Sequence, residues 1–507
     1  MTELTDDSQS RFRRSVYLLL ICVGAGAVLG RIAAVDSVDK ISLQDYREKT
    51  LQRDFDAQEE TLAERFSGEQ LQRKRRDVRG KLWRQSQLRR PFLSANDRSR
   101  MCTLRALVEA DMRVDGAPYS IDKVINEPKW DTIDMVKHDG HLYSSKPPLL
   151  PTLMAGEYWV IYKITGMTLG THPYTVGRII LVTFNVIPLV IYFVLLARLI
   201  ERFGNSDWGR MFVMAAAVFG TFLTTFAVVV NNHLPAAVSA MIAIYASVRI
   251  WFDGERRLRY FVVAGLFAAF TAANELPAAA LFAALSVALL FKAPKQTFLA
   301  YVPAAIVVVA GFFGTNWIAH QSLKPAYMHR SKDNKDDNWY DYSYTRNGKE
   351  YESYWKDPAG IDKGEESPLA YAVHVLIGHH GIFSLTPIWL LSLAGAALWL
   401  CKGDRPLREL ALLITVVSLV CLAFYLSRGP FFRNYGGMTS GLRWMFWFAP
   451  MWLLLMLPAA DAMASRRWTR GIALVALIAS VFSAAYPIWN PWVHPWLMNY
   501  MHYLGWV

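Results

Sequence analysis

The chain carries its apolar residues mostly in runs of roughly 17–25 residues, the length an α-helix needs to cross the hydrocarbon core of a bilayer. About eleven such runs are read, at 15–34, 177–199, 209–230, 234–252, 260–273, 276–291, 298–319, 382–400, 410–426, 444–460 and 471–486. A chain of 507 residues could hold several soluble domains, but 53% of it is hydrophobic and that content is segregated into these runs. The spacing predicts an all-α polytopic membrane protein. Its four cysteines, Cys22, Cys102, Cys401 and Cys421, form no C-x-x-C pair, so neither a disulfide framework nor a zinc site is expected. No internal repeat or low-complexity tract is read.

The loops orient the spans. The net charge of +12 does not call for nucleic acid, because much of it lies in short connections between apolar runs. Cytoplasmic loops are where such charge accumulates. Arg11-Phe-Arg-Arg14 begins like a signal peptide, but the apolar run that follows is long and lacks a small-residue cleavage site, so an uncleaved first span is expected. The segment 149–165 is apolar but interrupted by Glu157 and Lys163. Placing it at the interface puts Arg198, Arg202 and Arg210, Glu255-Arg-Arg-Leu-Arg259, Lys292 and Lys295, Lys402 to Arg408, and Arg466 to Arg470 all on the cytoplasmic side. The N-terminus is then cytoplasmic, the number of spans odd and the C-terminus outside, and the bacterial inner (plasma) membrane is the expected location.

Five regions follow: the first span with its N-terminus (1–34), a first outer loop (35–176), a block of spans (177–319), a second outer loop (320–381), and the last spans with an outer tail (382–507). In the first outer loop the charged stretch at about 42–90 reads as helix. Its basic part, from Arg73-Lys-Arg-Arg76 to Arg89-Arg90, reads either as a solvated face or as a surface for anionic head groups. A polar catalytic-type loop (94–150) and the juxtamembrane helix (149–165) come next. The second outer loop sets Asp333, Asp336, Asp337 and Asp341 among Trp339, Tyr340, Tyr342, Tyr344, Tyr351, Tyr354 and Trp355, a mixture suited to sugars or to an ordinary interfacial loop.

Polar groups that could do chemistry gather in the segments expected outside. Lys146 stands before Pro147-Pro148, which hold the preceding backbone extended and fix a point charge at the mouth of an apolar run. A snorkelling interface lysine reads the same way. Asp97 opens a helix-like stretch, where an N-cap is the alternative to a functional carboxylate. Asp111, Asp115, Asp131, Asp134 and Asp139 are backup carboxylates, with a surface position preferred to a base role for each. Asn231-Asn-His233-Leu-Pro235 and Gly378-His-His-Gly381 face outward; adjacent histidines on a helix diverge, so a hydrogen-bonding role is preferred to a metal. Glu275 falls at an outer turn between two apolar runs.

The stretch Gly140-x-Leu-Tyr143-x-x-Lys146-Pro-Pro-Leu149 resembles the G-x-x-Y-x-x-K-P-P-L signature of GT-C glycosyltransferases that use polyprenyl-phosphate-linked sugars, such as protein O-mannosyltransferases and lipid A aminoarabinose transferases. Ser94-Ala-Asn-Asp97-Arg-Ser-Arg100 is similar to their D-E-x-R-type motif, with Arg98 in place of the second acid. Tyr435-Gly-Gly-Met-Thr-Ser-Gly-Leu-Arg443-Trp resembles their Y-G-G-x-x-x-G-x-R-[YW] stretch, whose glycines would let backbone approach a ligand. Where some relatives carry an acid before the lysine, this chain has Ser145.

The resemblance implies transfer of a sugar from a polyprenyl-phosphate donor to a hydroxyl of a glycan, lipid or protein at the non-cytoplasmic face. Asp97 would be the general base, and Lys146, Arg443 and Arg433 the phosphate-binding cations. Arg100, Tyr143, His233, His379, His380 and Tyr435 are the further expected substrate contacts. No metal and no cofactor are expected. Two other readings stay open: a transporter or flippase of lipid-linked sugars, and an inactive GT-C-like assembly partner.

Overall fold

A computed structural model describes residues 2–35, 40–86, 90–331 and 333–506. The chain is predominantly helical. Among the described residues, eight helices are long and apolar enough to cross a membrane: Ser8–Ala34, Pro173–Phe203, Asp207–Phe226, His233–Trp251, Pro294–His320, Arg405–Leu426, Arg443–Met463 and Arg467–Ala485. Three shorter apolar helices, Leu258–Asn274, Leu276–Lys292 and Trp389–Lys402, occupy the remaining apolar runs.

The helices sort into a core and a jacket. Asp207–Phe226, His233–Trp251 and Arg443–Met463 have 72–78% of their apolar window buried inside the protein, against 22–44% for the other five long helices. A helix that is apolar all round and buried on every side belongs to the centre of a bundle. Close approach in that centre depends on small residues. At Gly395, where Trp389–Lys402 crosses Ala449–Met463, an added Cβ would collide with the Leu455 carbonyl oxygen.

Ion pairs tie one end of the bundle. Arg13 bonds Glu201 and Asp207, Asp461 accepts from Ser206, Arg202 and Arg249 pair with Asp253, and Trp251 donates to Glu409. The basic connections of the sequence therefore share this end. Asn232, His233, Glu275 and Arg443 meet at the other.

Beyond that other end stand the two long polar segments. Lys40–Arg65 and Gly68–Ser86 form a helical hairpin, with Phe55 under the Arg79 guanidinium at 5.4 Å and Arg75 paired to Glu59 at 2.7 Å. Of the basic run expected there, Arg89 lies outside the described residues. The helix Leu149–Thr165 forms as expected and ends at Gly166 in the left-handed region (φ 71°).

An all-α fold is not complete, however. Two antiparallel hairpins are present, Met135–His138 with His141–Ser144 and Ser343–Arg346 with Lys349–Glu352. Each turns on two residues of positive φ, Asp139-Gly140 (47° and 83°) and Asn347-Gly348 (51° and 76°), the geometry that favours Asp-Gly and Asn-Gly in tight hairpins. The two outer segments join through Lys137 N–H to the Trp339 carbonyl (3.0 Å), Tyr342 to the Met135 carbonyl (3.2 Å) and Trp355 Nε1 to the Ile133 carbonyl (2.7 Å).

Candidate functional site

The helix Ala95–Val108 begins with Ser94, not Asp97, as its N-cap. Asp97 is the third residue of the first turn. Its N–H donates to Ser94 Oγ at 3.2 Å, and Ser94 Oγ donates to Asp97 Oδ2 at 3.2 Å, a reciprocal capping arrangement. Asp97 Oδ1 is buried and has no hydrogen-bond partner among the described residues. Burial pushes the Asp97 carboxyl up to about 7, against the pull of Arg100, Arg98 and the Ser94 bonds.

One turn on, Arg100 is held by Asn96 and donates to Asn232 Oδ1 at 2.9 Å. Burial lowers its pKa to about 10 while Asp97 and Asp134 oppose that shift. The same helix clamps the first hairpin through Ser99, which bonds the Asp134 carbonyl (2.5 Å) and the Ser144 hydroxyl (2.6 Å). That clamp sets the strand His141–Ser144, and hence Ser145 and Lys146, beside the helix N-terminus.

Lys146 pairs with Asp134: Nζ to Oδ1 is 2.8 Å, with the two side chains 19% and 13% exposed. Asp134 is therefore a half-buried ion-pair partner, not the surface residue preferred from sequence. Burial works against its charge, but Lys146, Arg443 and Arg100 together hold its carboxyl below the usual range. Burial also lowers the Lys146 pKa, with Arg100 and Arg443 adding to that and Asp134 resisting it. Asp131 is likewise engaged, with Arg90 at 2.7 Å and Arg346 at 3.6 Å.

Arg443 closes the cluster. It donates from Nε to the Gly436 carbonyl (2.8 Å) and from Nη1 to His233 Nε2 (3.2 Å), with its guanidinium 5.0 Å from the Trp492 ring centre. Gly436 has φ 95°, and a Cβ there would lie 3.2 Å from the Arg443 side chain. The glycine thus admits the arginine of its own chain. His233 in turn contacts Glu275, and Glu275 Oε1 accepts from Asn232 Nδ2 at 2.7 Å. Glu275 is 5% exposed, and burial pushes its carboxyl up to about 8 against the pull of Arg443 and Arg100. The buried Glu275 thereby links Arg100, through Asn232, to Arg443, through His233. Beside them lies a cleft with Arg100, Asn232 and Asn274 at one side and Pro147, Leu149 and Leu150 at the other.

Five of the expected site residues stand elsewhere. Arg433 is engaged by backbone carbonyls, those of Arg428 (2.7 Å), Glu366 (2.7 Å) and Glu365 (3.4 Å), and so fastens two loops instead of presenting a free guanidinium to phosphate. His379, His380 and Tyr435 form an aromatic cluster with His374: His374 stacks on His379 at 3.9 Å and Tyr435 on His380 at 5.1 Å. Burial takes His379 down to about 3, so the ring is neutral. Tyr143 packs edge-on against His320 at 4.9 Å in the cluster that joins the outer loops. Asp97, Arg100, Lys146, His233 and Arg443 are the predicted residues that the structure brings together. Asp134, Asn232 and Glu275, named in the sequence but given no place among the expected site residues, join them.

Among the described residues, no group of three or more His, Cys, Asp or Glu side chains is disposed to hold a metal ion. No family model matches the chain, and no curated protein matches it. Among solved structures it is similar to the oligosaccharyltransferase of Archaeoglobus fulgidus in complex with zinc and sulfate (13% identity, TM-score 0.37, 79% of this chain and 54% of that one). It is also similar to the apo form of that protein (13%, 0.38, 82% and 54%). A third is the archaeal oligosaccharyltransferase AglB of the same organism with an inhibitory peptide and a dolichol-phosphate (11%, 0.37, 79% and 56%). The chain thus spans about half the length of these structures. At these TM-scores the functional reading rests on the residues of this chain.

Proposed function

We propose that the chain is an integral membrane glycosyltransferase of the GT-C class, moving a sugar from a polyprenyl-phosphate donor to an acceptor hydroxyl. The observation that carries the reading is the convergence of Lys146, Arg100 and Arg443 around Asp134, with Arg100 one helical turn from Asp97, whose buried Oδ1 has no partner among the described residues. An acidic lipid head group calls for clustered, partly desolvated cations. A transfer to a hydroxyl calls for a base nearby.

In this mechanism Asp97 Oδ1 takes the acceptor hydroxyl proton as that oxygen forms its bond to the anomeric carbon. The bond from the anomeric carbon to the phosphate oxygen breaks, and its electron pair leaves on the lipid phosphate. Lys146 and Arg443 stabilise that developing charge. A single displacement of this kind inverts the anomeric centre. The apolar side chains of Leu149 and Leu150 would line the approach of the lipid tail, and the 320–381 loop the approach of the acceptor.

The topology that goes with it has eleven spans, the three shorter apolar helices included. The N-terminus is cytoplasmic, Leu149–Thr165 lies along the interface, and the site faces outward from a plasma membrane. The five regions bounded at 34, 176, 319 and 381 follow from that arrangement. Arg433 has no part in the phosphate site.

The test is thermal stabilisation of the detergent-purified protein by decaprenyl phosphate. A ligand bound only by the folded state raises the melting temperature. The shift is expected in wild type and lost in Lys146→Ala. Equal shifts in both, or none in wild type with the lipid well above micromolar, would overturn the assignment.

A further inference from the structure

Arg330 lies in the second outer loop, beyond the end of the apolar helix Pro294–His320. Its position is rigid: Arg330 bridges Asn338, Trp339 N–H bonds the His329 carbonyl at 3.0 Å, and His329 stacks on Trp339 at 3.6 Å and 7°. Three rings surround the guanidinium, with centres 4.7 Å (Tyr340), 4.6 Å (Trp355) and 4.0 Å (Phe431) away. Stacking of this kind holds the cation and fixes its plane.

The hydrogen-bonding edge is left over. Nε and Nη2 are both buried and neither has a hydrogen-bond partner among the described residues. These two N–H groups lie on one side of the guanidinium, the side that receives two oxygens of a phosphate or carboxylate at once. No carboxylate among the described residues pairs with it; Asp134 and Asp362 act on it only at longer range, as does the charge of Arg428. Two buried donors without acceptors carry a cost that an incoming oxyanion would remove. Tyr340, the ring on one face, packs in one buried cluster with Tyr143 of the hairpin that leads to Lys146, and the Trp339 carbonyl accepts from Lys137 N–H of that hairpin at 3.0 Å, so the Arg330 fork stands beside the segment that carries the Lys146–Asp134 pair.

We propose that Arg330 forms a second oxyanion subsite, which holds an anionic group of the acceptor by two parallel hydrogen bonds. This rests on the transferase reading above. The acceptor is favoured over the donor phosphate by placement. Arg443 begins the apolar helix Arg443–Met463, Arg100 bonds Asn232 just before the apolar helix His233–Trp251, and Lys146 precedes the helix Leu149–Thr165, so a lipid head group meets these three, whereas loop rings enclose the Arg330 fork. A phosphate ester or a carboxylate on the acceptor fits the edge equally.

The test uses the full chain saturated with decaprenyl phosphate and titrated with methyl phosphate, against sodium chloride at matched ionic strength. Wild type is expected to gain a further rise in melting temperature. Arg330→Gln should abolish it. Arg330→Lys, which keeps a cation between the rings but not the fork, should bind methyl phosphate about tenfold more weakly or worse, the loss expected of one charged hydrogen bond. It also serves if the glutamine variant does not fold. No additional rise in wild type, or an equal rise in both variants, would overturn the subsite.

Loss of decaprenyl phosphate affinity in Arg330→Gln, with no methyl phosphate effect in wild type, would assign the fork to the donor and overturn the acceptor proposal. A methyl phosphate effect that persists in Lys146→Ala and vanishes in Arg330→Gln would support the subsite even where the lipid site fails.

Discussion

Arg443 donates from Nη1 to His233 Nε2 at 3.2 Å, and a guanidinium has no lone pair to accept a proton in return. The proton of a neutral His233 must therefore sit on Nδ1, facing Glu275. One buried carboxyl oxygen, Glu275 Oε1, thus orients two arginines through two uncharged side chains, since Asn232 relays the same oxygen to Arg100 at 2.9 Å. Glu275→Leu removes the acceptor from both relays and is expected to cost about 1–3 kcal/mol for each polar group left unpaired. Glu275→Gln keeps an acceptor oxygen and should cost less. Melting curves of the two variants check the order, and a leucine variant as stable as glutamine would refute the hub.

The Lys146–Asp134 pair makes a second prediction, which separates folding from ligand binding. Lys146→Ala strands a half-buried carboxylate, and since breaking a fully buried pair typically costs about 3–5 kcal/mol the loss here should lie at or below about 3 kcal/mol. Lys146→Met with Asp134→Asn replaces both charges and should recover most of that stability. It should not recover stabilisation by decaprenyl phosphate. Recovery of both would show that Lys146 serves the fold alone.

Gly436 supplies a third. Its φ of 95° is strained for any residue with a side chain, and an added methyl would meet Arg443 at 3.2 Å. Gly436→Ala is expected to cost about 1–2 kcal/mol from backbone strain and to displace the guanidinium from the cluster. Decaprenyl phosphate affinity should fall with it. A variant with wild-type melting and affinity would show that the turn tolerates both.

Much of this arrangement was legible in the sequence, for reasons that differ by residue. The apolar runs follow from burial or lipid contact over whole helices, and each is mostly helical in the structure, with breaks at 220–221 and 386–388. Lys146 and Arg443 were visible because proline and glycine mark the backbone around them. The hairpins were also signalled, by Asp139-Gly140 and Asn347-Gly348, but their strands are four residues long and carry no extended alternation. The partners were not legible. Asp134 and Glu275 look like surface or loop carboxylates because what buries them comes from remote segments, Lys146 and Arg443 for the one and Asn232 and His233 for the other. Arg433 shows the converse: an arginine next to a glycine-rich turn reads as a ligand group, yet backbone carbonyls from 365, 366 and 428 already engage it. An acidic residue between two apolar runs was the one cue to Glu275.

Asp97 carries the pH prediction. Burial raises its carboxyl to about 7 from an ordinary 3.8, so between those values the folded chain holds a proton that the unfolded chain releases. Its contribution to stability is fully present below pH 3.8 and is lost as pH rises through about 7. Asp97→Asn does not titrate, so its melting temperature should gain on wild type across that window and hold the difference above it. The same ionisation governs chemistry in the opposite sense. A general base must be unprotonated to take the acceptor proton, so kcat/KM for transfer should rise with pH through about 7 and then level off. Removing the base should cost about 10²–10⁴-fold in rate while leaving stabilisation by decaprenyl phosphate in place. A stability difference that tracks pH as described, combined with full transfer by Asp97→Asn, would keep the buried carboxyl and dismiss it as the base.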